Sequence, residues 1–446
     1  MVEPFKIHFR SLGCKVNLAD LAQLVARLPA GQFHIAREIL GADIVLLNTC
    51  TVTHKADRNA RKILGALLRD HPEVPVLVTG CGAVSMTAAL ANFENVRKVI
   101  PPGEPGTLAG EILALSGTSR SPGTSGAAMG EASPFFRLGR RRAVVKVQDG
   151  CNAGCAYCLL PRVRGRERSV PPERVIEAVN RSSGCGHREI VLSGIHLGRY
   201  GRGLGRGTNL AALIEKLGPL YARLGPGYRL RLSSIEPLEW TKDLLAVVSV
   251  SPFVCRHFHI PLQSGDDDVL ARMRRPYRRE QFQDLIERLR CQIPAASIGS
   301  DVMSGFPGES DTEAEHTQEF LGKLQLDYLH VFTFSARPGT AAKSLPGRVP
   351  AKIVASRASA LRSMGHASWR RFVSRAIGKR LRVLLEDAKD GWLRGHSDAY
   401  RPVKVPAGED APGEMIELVA KNLDEDRLVG VSCKPDMQTN QYERGR

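Results

Sequence analysis

The chain has no apolar run long enough to cross a bilayer. Its first ten residues, Met1 to Arg10, hold no apolar signal core. Both absences point to a cytoplasmic protein with no membrane partner. Thiols stay reduced there, so the 10 cysteines are expected to bind metal rather than form disulfides. Acidic residues are in short supply, 46 against 63 basic, for a net charge of +17. That imbalance implies a polyanionic partner, most simply nucleic acid, against the plainer alternative of a basic soluble surface. The excess is uneven. Residues 137–378 carry 38 basic and 22 acidic residues, while residues 1–136 carry 13 and 11, and residues 379–434 carry 10 and 11. Most of it is arginine, whose planar fork of donors suits phosphate.

A chain of 446 residues is long for one domain. Residues 103–136 contain Gly-Thr-Ser-Arg-Ser-Pro-Gly-Thr-Ser-Gly and few large apolar residues after Leu115, so they read as a flexible linker. Before it, residues 1–102 alternate strand and helix, with strands expected at Lys6–Arg10, Asp43–Leu47 and Val76–Thr79 and helices at Asn17–Arg27, His54–Asp70 and Ser85–Ala91. This rhythm implies a small parallel sheet covered by helices. After it, residues 137–378 repeat strand and helix about six times. Six units are too few for a closed eight-unit barrel, so a partial parallel (β/α)6 barrel is expected. A basic helix is expected over Lys352–Ile377. Residues 379–434 look all-β, of a size for a five-stranded barrel, and 435–446 form a tail. The fold class is therefore α/β multidomain.

Three cysteines, Cys151, Cys155 and Cys158, lie in Gly-Cys-Asn-Ala-Gly-Cys-Ala-Tyr-Cys (150–158), directly after the first strand of the middle domain. Three thiolates on one short loop can hold three irons of a 4Fe–4S cluster and leave the fourth open to a small molecule. The alternatives are a zinc site, which would want a fourth ligand nearer than Cys185 or His187, or three buried thiols. A second set, Cys14, Cys50 and Cys81, falls just past the three strands of the first domain. Parallel strands end at one edge of their sheet, so these cysteines can meet there. The helix starts beside them are expected to lower their pKa values. Three small packing residues are the plain alternative.

This pair of cysteine triads resembles the radical S-adenosylmethionine (SAM) methylthiotransferase family over essentially the whole chain. The finer motifs look like the branch acting on N6-threonylcarbamoyladenosine in tRNA: Leu-Gly-Cys-Lys-Val-Asn (12–17), Asn-Thr-Cys-Thr-Val-Thr-His-Lys-Ala-Asp (48–57), Leu-Ser-Ser-Ile-Glu-Pro (232–237), His-Ile-Pro-Leu-Gln-Ser-Gly (259–265), Met-Arg-Arg-Pro-Tyr (273–277), Gly-Phe-Pro-Gly-Glu (305–309) and Phe-Ser-Ala-Arg-Pro-Gly-Thr (334–340). The C-terminal barrel looks like the RNA-binding TRAM module.

The resemblance implies two 4Fe–4S clusters. The cluster on Cys151, Cys155 and Cys158 binds SAM, whose reductive cleavage gives a radical that takes the hydrogen from C2 of the adenine. The cluster on Cys14, Cys50 and Cys81 handles the sulfur. Two SAM are used per product, with a reducing electron donor, a sulfur donor and the tRNA anticodon stem-loop as partners. SAM contacts are expected from Ser193, Gly194, Glu236, Gln263 and Ser264, each just past a barrel strand, where loop capping is the alternative role. Tyr157 packs on the SAM adenine or shields the cluster. No side chain is expected to be catalytic, because the radical is carried by SAM.

Because residues 379–434 are nearly neutral, the grip on tRNA phosphates is expected from Arg162, Arg164, Arg166 and Arg168 and from Arg272, Arg274, Arg275, Arg278 and Arg279. Pairing with Glu167 or Glu280 is the alternative for these arginines. Cys185, Cys255, Cys291 and Cys433 are expected to be small buried packing residues, and His8, His196 and His259 structural. Three rival functions remain: the same chemistry on isopentenyladenosine in tRNA, the same chemistry on an aspartate of a ribosomal protein, and a non-catalytic zinc-containing RNA-binding protein.

Overall fold

A computed structural model describes residues 3–117 and 133–433, except residues 30 and 52. Residues 118–132 of the expected linker and the expected tail, 435–446, lie outside the described residues. Among the described residues no helix is long and apolar enough to cross a membrane.

The first domain is a parallel sheet of β1 (Phe5–Ser11), β2 (Phe33–Ala36), β3 (Ile44–Thr49), β4 (Val76–Gly80) and β5 (Val96–Val99), ordered β2-β1-β3-β4-β5. β3 and β4 are buried along their whole length. Central parallel strands are covered on both faces, which is why they read as unbroken apolar runs. The edge strands β2 and β5 have no such signal and were not expected. The helix expected over Ser85–Ala91 is two short turns, Cys81–Ser85 and Thr87–Leu90. Helix Pro105–Leu115 places Leu108 and Ile112 in one apolar cluster with Leu24 and Ile44. Residues 105–115 of the expected linker are therefore a helix packed on the first domain. A second helix, Pro134–Arg137, shortens that linker's other end.

Helix Lys15–Val25 belongs to two cores. Leu21 and Leu24 pack on its own sheet, while Ala19 and Ala22 pack with the middle domain. Small residues on that second side let the helix lie close against the first strand of the barrel.

The barrel consists of β6 (Ala143–Lys146), a two-strand clip of β7 (Gln148–Asp149) and β8 (Arg168–Ser169), and then β9 (Glu189–Ser193), β10 (Arg229–Leu232), β11 (His257–His259), β12 (Ser297–Ser304) and β13 (Tyr328–Thr333). β6-β9-β10 and β11-β12-β13 are parallel sheets. Leu230 bonds Phe253 O and Cys255 N at 2.8 Å and joins them into one row of six. Alternate residues face opposite ways along a strand. Ile190, Leu192, Leu230, Leu232, Phe258 and Ile298 enter the apolar layer under the helices. Their neighbours Glu189, Arg229, Arg231, His257, His259 and Tyr328 face the lumen. The lumen is therefore polar.

β14 (Arg380–Lys389), β15 (Trp392–Ser397), β16 (Pro402–Pro406), β17 (Met415–Asp424) and β18 (Arg427–Ser432) close into the expected five-stranded barrel. This barrel plugs the amino-terminal mouth of the larger one. Arg229 donates to Arg382 O (3.0 Å) and His396 O (2.9 Å), and Arg231 donates to Asp398 O (2.9 Å) and Ser397 O (3.2 Å). Both arginines also hold Glu189, at 2.6 and 2.7 Å, and all three side chains are fully buried. Arg142 adds a third guanidinium, its Nε 3.0 Å from Glu189, and a pair with Glu386. Tyr400, at a φ of +66°, places its ring 4.8 Å from His257 and 4.9 Å from the Arg231 guanidinium. Burial alone pushes the Glu189 carboxyl up, but the surrounding arginines hold it well below the usual carboxylate range.

Removing one partner from such a buried network leaves the others uncompensated. Glu189→Gln is expected to cost about 3–5 kcal/mol and to expose the junction near Lys379 to protease. Denaturant titration and limited proteolysis check this. A loss below about 1 kcal/mol, the range of exposed pairs, would contradict it.

Candidate metal centres and the pocket between them

The loop carrying Cys151, Cys155 and Cys158 leaves the carboxyl end of β6 and is tied at its base. Cys151 N bonds Gly165 O at 3.1 Å, and the β7–β8 clip closes the loop. Gly150 sits at φ +71°, and a Cβ there would stand 2.1 Å from Arg166 O, so only glycine fits. Cys158 N bonds Cys155 O at 3.1 Å, and Ala156 N bonds Met273 O at 3.0 Å. Arg275 donates to Cys155 Sγ at 3.4 Å, and His196 Nδ1 lies 3.4 Å from Cys151 Sγ. Contact with Cys151 and Glu239 raises His196 to about 9 although burial opposes it. His196 therefore borders the first triad, which its place in the sequence did not signal.

The second triad stands at the carboxyl edge of the first sheet. Its frame is a pair of buried asparagines. Asn17 Nδ2 donates to Asn48 Oδ1 (3.0 Å) and Thr49 O (2.9 Å), and Asn48 Nδ2 returns a bond to Asn17 O (2.9 Å). Cβ atoms at Gly13 or Gly80 would strike this frame at 2.2 and 2.3 Å. The motif residues around Cys14 and Cys50 thus have a structural reason that the cysteine pattern alone does not give.

Burial dominates the thiols. It lifts Cys158 to about 12, and it lifts Cys81 to about 11 against the opposing pull of Arg164. The lowered pKa expected from nearby helix starts is overturned at Cys81, where desolvation wins. Without metal, burial favours the protonated form of these two thiols, so binding metal there releases protons. Each triad is an all-thiol donor set of the kind iron–sulfur clusters take.

Two arginines tie the centres together. Arg164, six residues beyond Cys158 and 4% exposed, donates to Cys81 Sγ (3.2 Å), Asp20 (2.6 Å) and Asn17 Oδ1. Arg337, 3% exposed, pairs with Asp57 (2.5 Å), Thr51 Oγ1 and His54 Nδ1 (3.2 Å). Arg337 also lines a cavity of about 150 Å³. Thr51 and Thr53 come from the Cys50 loop, Tyr157 to Leu160 from the first cysteine loop, and Gln263, Asp301, Met303 and Phe332 to Ser335 from the barrel. A larger cleft of about 390 Å³ between helices Lys15–Val25 and Pro172–Gly184 contains no triad cysteine.

The six expected SAM contacts divide. Tyr157 and Gln263 line the cavity, Gln263 at a φ of +73°. Glu236 is engaged by Arg275 beside Cys155. Ser193 is buried, and Gly194 packs against Gln148, where a Cβ would come within 2.9 Å of Oε1. The Ser264 hydroxyl is fully buried, 3.2 Å from Thr317 Oγ1, and accepts from Asp266 N at 3.2 Å, the capping role named as its alternative.

The phosphate-binding arginines need a correction. Arg164 and Arg275 are buried in the site, Arg272 forks onto Glu313, and Glu167 pairs with Arg199. Arg162, Arg166, Arg168, Arg274, Arg278 and Arg279 remain exposed. Of the four cysteines expected to pack, only Cys255 is buried, and Cys291 is exposed.

Lys15, directly after Cys14, carries no signal in the sequence. It is an exposed residue, yet the surrounding protein, with Arg231 and Arg142 near, lowers its pKa to about 8.

Residues 145–321 match the model of the radical SAM superfamily, and residues 6–100 match that of uncharacterized protein family UPF0004. The chain is 31% identical to the threonylcarbamoyladenosine tRNA methylthiotransferase MtaB of Bacillus subtilis, over 92% of this chain and 93% of that one. The MtaB of Thermotoga maritima is also 31% identical, over 97% of both. A tRNA-2-methylthio-N(6)-dimethylallyladenosine synthase of Pelotomaculum thermopropionicum is 30% identical, over 94% and 96%. In fold, the chain is similar to the radical SAM methyltransferase TsrM of Kitasatospora setae, at a TM-score of 0.57 and 14% identity over 76% of this chain and 77% of that one.

Gly150→Ala is expected to abolish iron loading at Cys151, Cys155 and Cys158, because the loop cannot close. Gly154→Ala, with nothing within 4 Å of its Cβ, should leave loading intact. Iron analysis and visible absorbance after anaerobic reconstitution check the pair, and equal loading in both would contradict the steric account.

Proposed function

The chain belongs to the radical SAM tRNA methylthiotransferases, and on that premise we propose that it places a methylthio group on C2 of N6-threonylcarbamoyladenosine beside the anticodon. As a radical SAM enzyme it uses SAM and a 4Fe–4S cluster. Cys151, Cys155 and Cys158 hold that cluster in this reading, and Cys14, Cys50 and Cys81 hold a second. When bound, these groups supply a hydrogen-abstracting radical and a methylthio donor, at a cost of two SAM per product, with electrons and sulfur from outside donors.

The observation that carries the reading is a cavity walled by both the Cys50 loop and the loop of Cys158. A ring carbon that loses hydrogen at one centre and gains sulfur from the other must sit between them. The chain's own residues do the positioning. Arg337 clamps the Thr51 loop against the barrel, and Arg164 fixes Cys81 relative to the first loop. Leu159, Leu160, Met303, Phe332 and Phe334 give the cavity an apolar side that excludes water. Arg275 neutralises Glu236 beside Cys155, leaving that carboxylate held for a hydroxyl-bearing ligand. The exposed arginines and the small C-terminal barrel, read as TRAM-like, supply the RNA surface, and the cytoplasm is the compartment this reading assigns.

The isopentenyladenosine reading has support of its own in relatives of nearly equal identity. The test is nucleoside mass spectrometry of tRNA from a bacterium lacking its own methylthiotransferases. Methylthiolated threonylcarbamoyladenosine is expected with the native chain and absent with Cys151→Ala or Cys14→Ala. Methylthiolated isopentenyladenosine in its place would overturn the substrate, and no methylthio nucleoside from iron-loaded protein would overturn the tRNA reaction.

Phosphate binding is expected from the exposed arginines. Arg162→Glu with Arg166→Glu should weaken tRNA binding and flatten its log–log salt dependence by roughly 0.7–0.9 for each phosphate no longer neutralised. An unchanged slope in a salt titration would rule these two out.

A further inference from the structure

The barrel lumen holds more positive than negative side chains. Arg142, Arg229 and Arg231 share the buried Glu189, and Arg142 also meets Glu386. Lys15 brings a fourth cation from the first domain, within Coulombic reach of Arg142, Arg231 and Glu189. Among the described residues its ammonium makes no hydrogen bond or ion pair. Lys15 also begins helix Lys15–Val25, whose first turn has no acidic side chain. The positive end of the helix dipole therefore opposes it. Burial and the neighbouring Arg231 and Arg142 oppose a cation at this place more than Glu189 favours it. An anionic ligand would favour one.

The lumen between the cavity and Lys15 is polar throughout. Asp301 lines the cavity and lies 2.9 Å from His259 Nε2. His259 Nδ1 lies 3.1 Å from the Tyr328 hydroxyl, which lies 2.9 Å from His257 Nε2. His257 is in turn within Coulombic reach of Lys15. His330 joins the same cluster, with Nδ1 3.4 Å from Asp301. Gly299 keeps this space open for the Tyr328 ring, since a Cβ there would lie 1.9 Å from it. A purely apolar substituent would leave Lys15 and the partnerless Nδ1 of His257 unmatched, whereas a substituent with hydroxyl, amide and carboxylate groups can pair with them.

Resting on the threonylcarbamoyladenosine reading above, we propose that Lys15 is a specificity-determining residue whose ammonium binds the carboxylate carried on the adenine N6 substituent. The charge-assisted bond would form only with a substrate bearing that carboxylate, so it discriminates against an isopentenyl group of similar reach. Lys15 acts in binding and takes no part in the redox chemistry.

The test uses the reconstituted holoenzyme, with Lys15→Gln and Lys15→Arg, on tRNA bearing threonylcarbamoyladenosine or isopentenyladenosine. Methylthio nucleoside formation, the KM for tRNA and for SAM, iron content and tRNA-independent 5′-deoxyadenosine formation are measured. For Lys15→Gln the KM for threonylcarbamoyl tRNA should rise roughly 10- to 100-fold, the loss of one charge-assisted bond. The KM for SAM, the iron content and 5′-deoxyadenosine formation should stay near native, and Lys15→Arg should recover part of the loss. A raised KM for SAM would make the SAM carboxylate the partner and overturn the proposal. Lowered iron content would make the second cluster the partner and overturn it equally. Native kinetics in Lys15→Gln would sink the lysine alone, whereas a native enzyme inactive on threonylcarbamoyl tRNA would sink the substrate reading on which it rests.

Discussion

One guanidinium carries the geometry of the whole site. Arg164 leaves the short helix after Cys158 and reaches across the domain boundary to Cys81 Sγ, Asn17 and Asp20. With almost no solvent contact, it cannot be replaced by water if its partners move. Asp149, at the base of the first cysteine loop, lies 3.6 Å from the same group and draws in Lys146 and Arg168. The distance between the two thiol sets is therefore fixed by a buried ion cluster rather than by the connecting chain, and residues 118–132 need not set it. Arg337 repeats the device on the far side of the cavity. Two buried braces, each rooted in the barrel and ending in the first domain, hold both cysteine loops against one space.

Charge explains much of the remaining architecture. The strong arginine excess of the middle domain reads as an RNA surface, and six of the nine candidate arginines are indeed exposed. Several of those arginines act internally instead: Arg229 and Arg231 dock the C-terminal barrel, Arg275 serves the first cysteine loop, and Arg164 bridges the domains. Arginine suits these places because its fork satisfies several acceptors at once and stays charged when buried. A basic sequence thus yields both exposed arginines and a positively biased lumen, and composition cannot divide one from the other.

The sequence was informative wherever a local rule applies. Continuous apolar runs revealed β3 and β4, the cysteine spacing revealed the first loop, and strand-end placement brought Cys14, Cys50 and Cys81 to one edge. It was silent where the deciding contact is distant. Arg-Leu-Arg-Leu at 229–232 reads as a strand with one wet face, but that face is a lumen sealed by Tyr400 and the carbonyls of another domain. β2, β5 and β15 are short and broken by polar residues, so no period announces them. Ser264 sits where ligand contacts gather, yet its hydroxyl closes a turn. The frame made by Asn17 and Asn48 could have been suspected from two asparagines beside two motif cysteines, but only the fold shows them bonded to each other.

The central claim is that both cysteine sets serve one reaction in one pocket of one chain. It is tested most directly by mixing two purified, reconstituted variants, one lacking Cys14, Cys50 and Cys81 and the other lacking Cys151, Cys155 and Cys158, and assaying methylthio transfer to tRNA. The account predicts no methylthio product from the mixture, while the first variant alone still cleaves SAM to 5′-deoxyadenosine. Product formation approaching that of the native chain would mean that the two centres act separately, and would contradict the shared pocket.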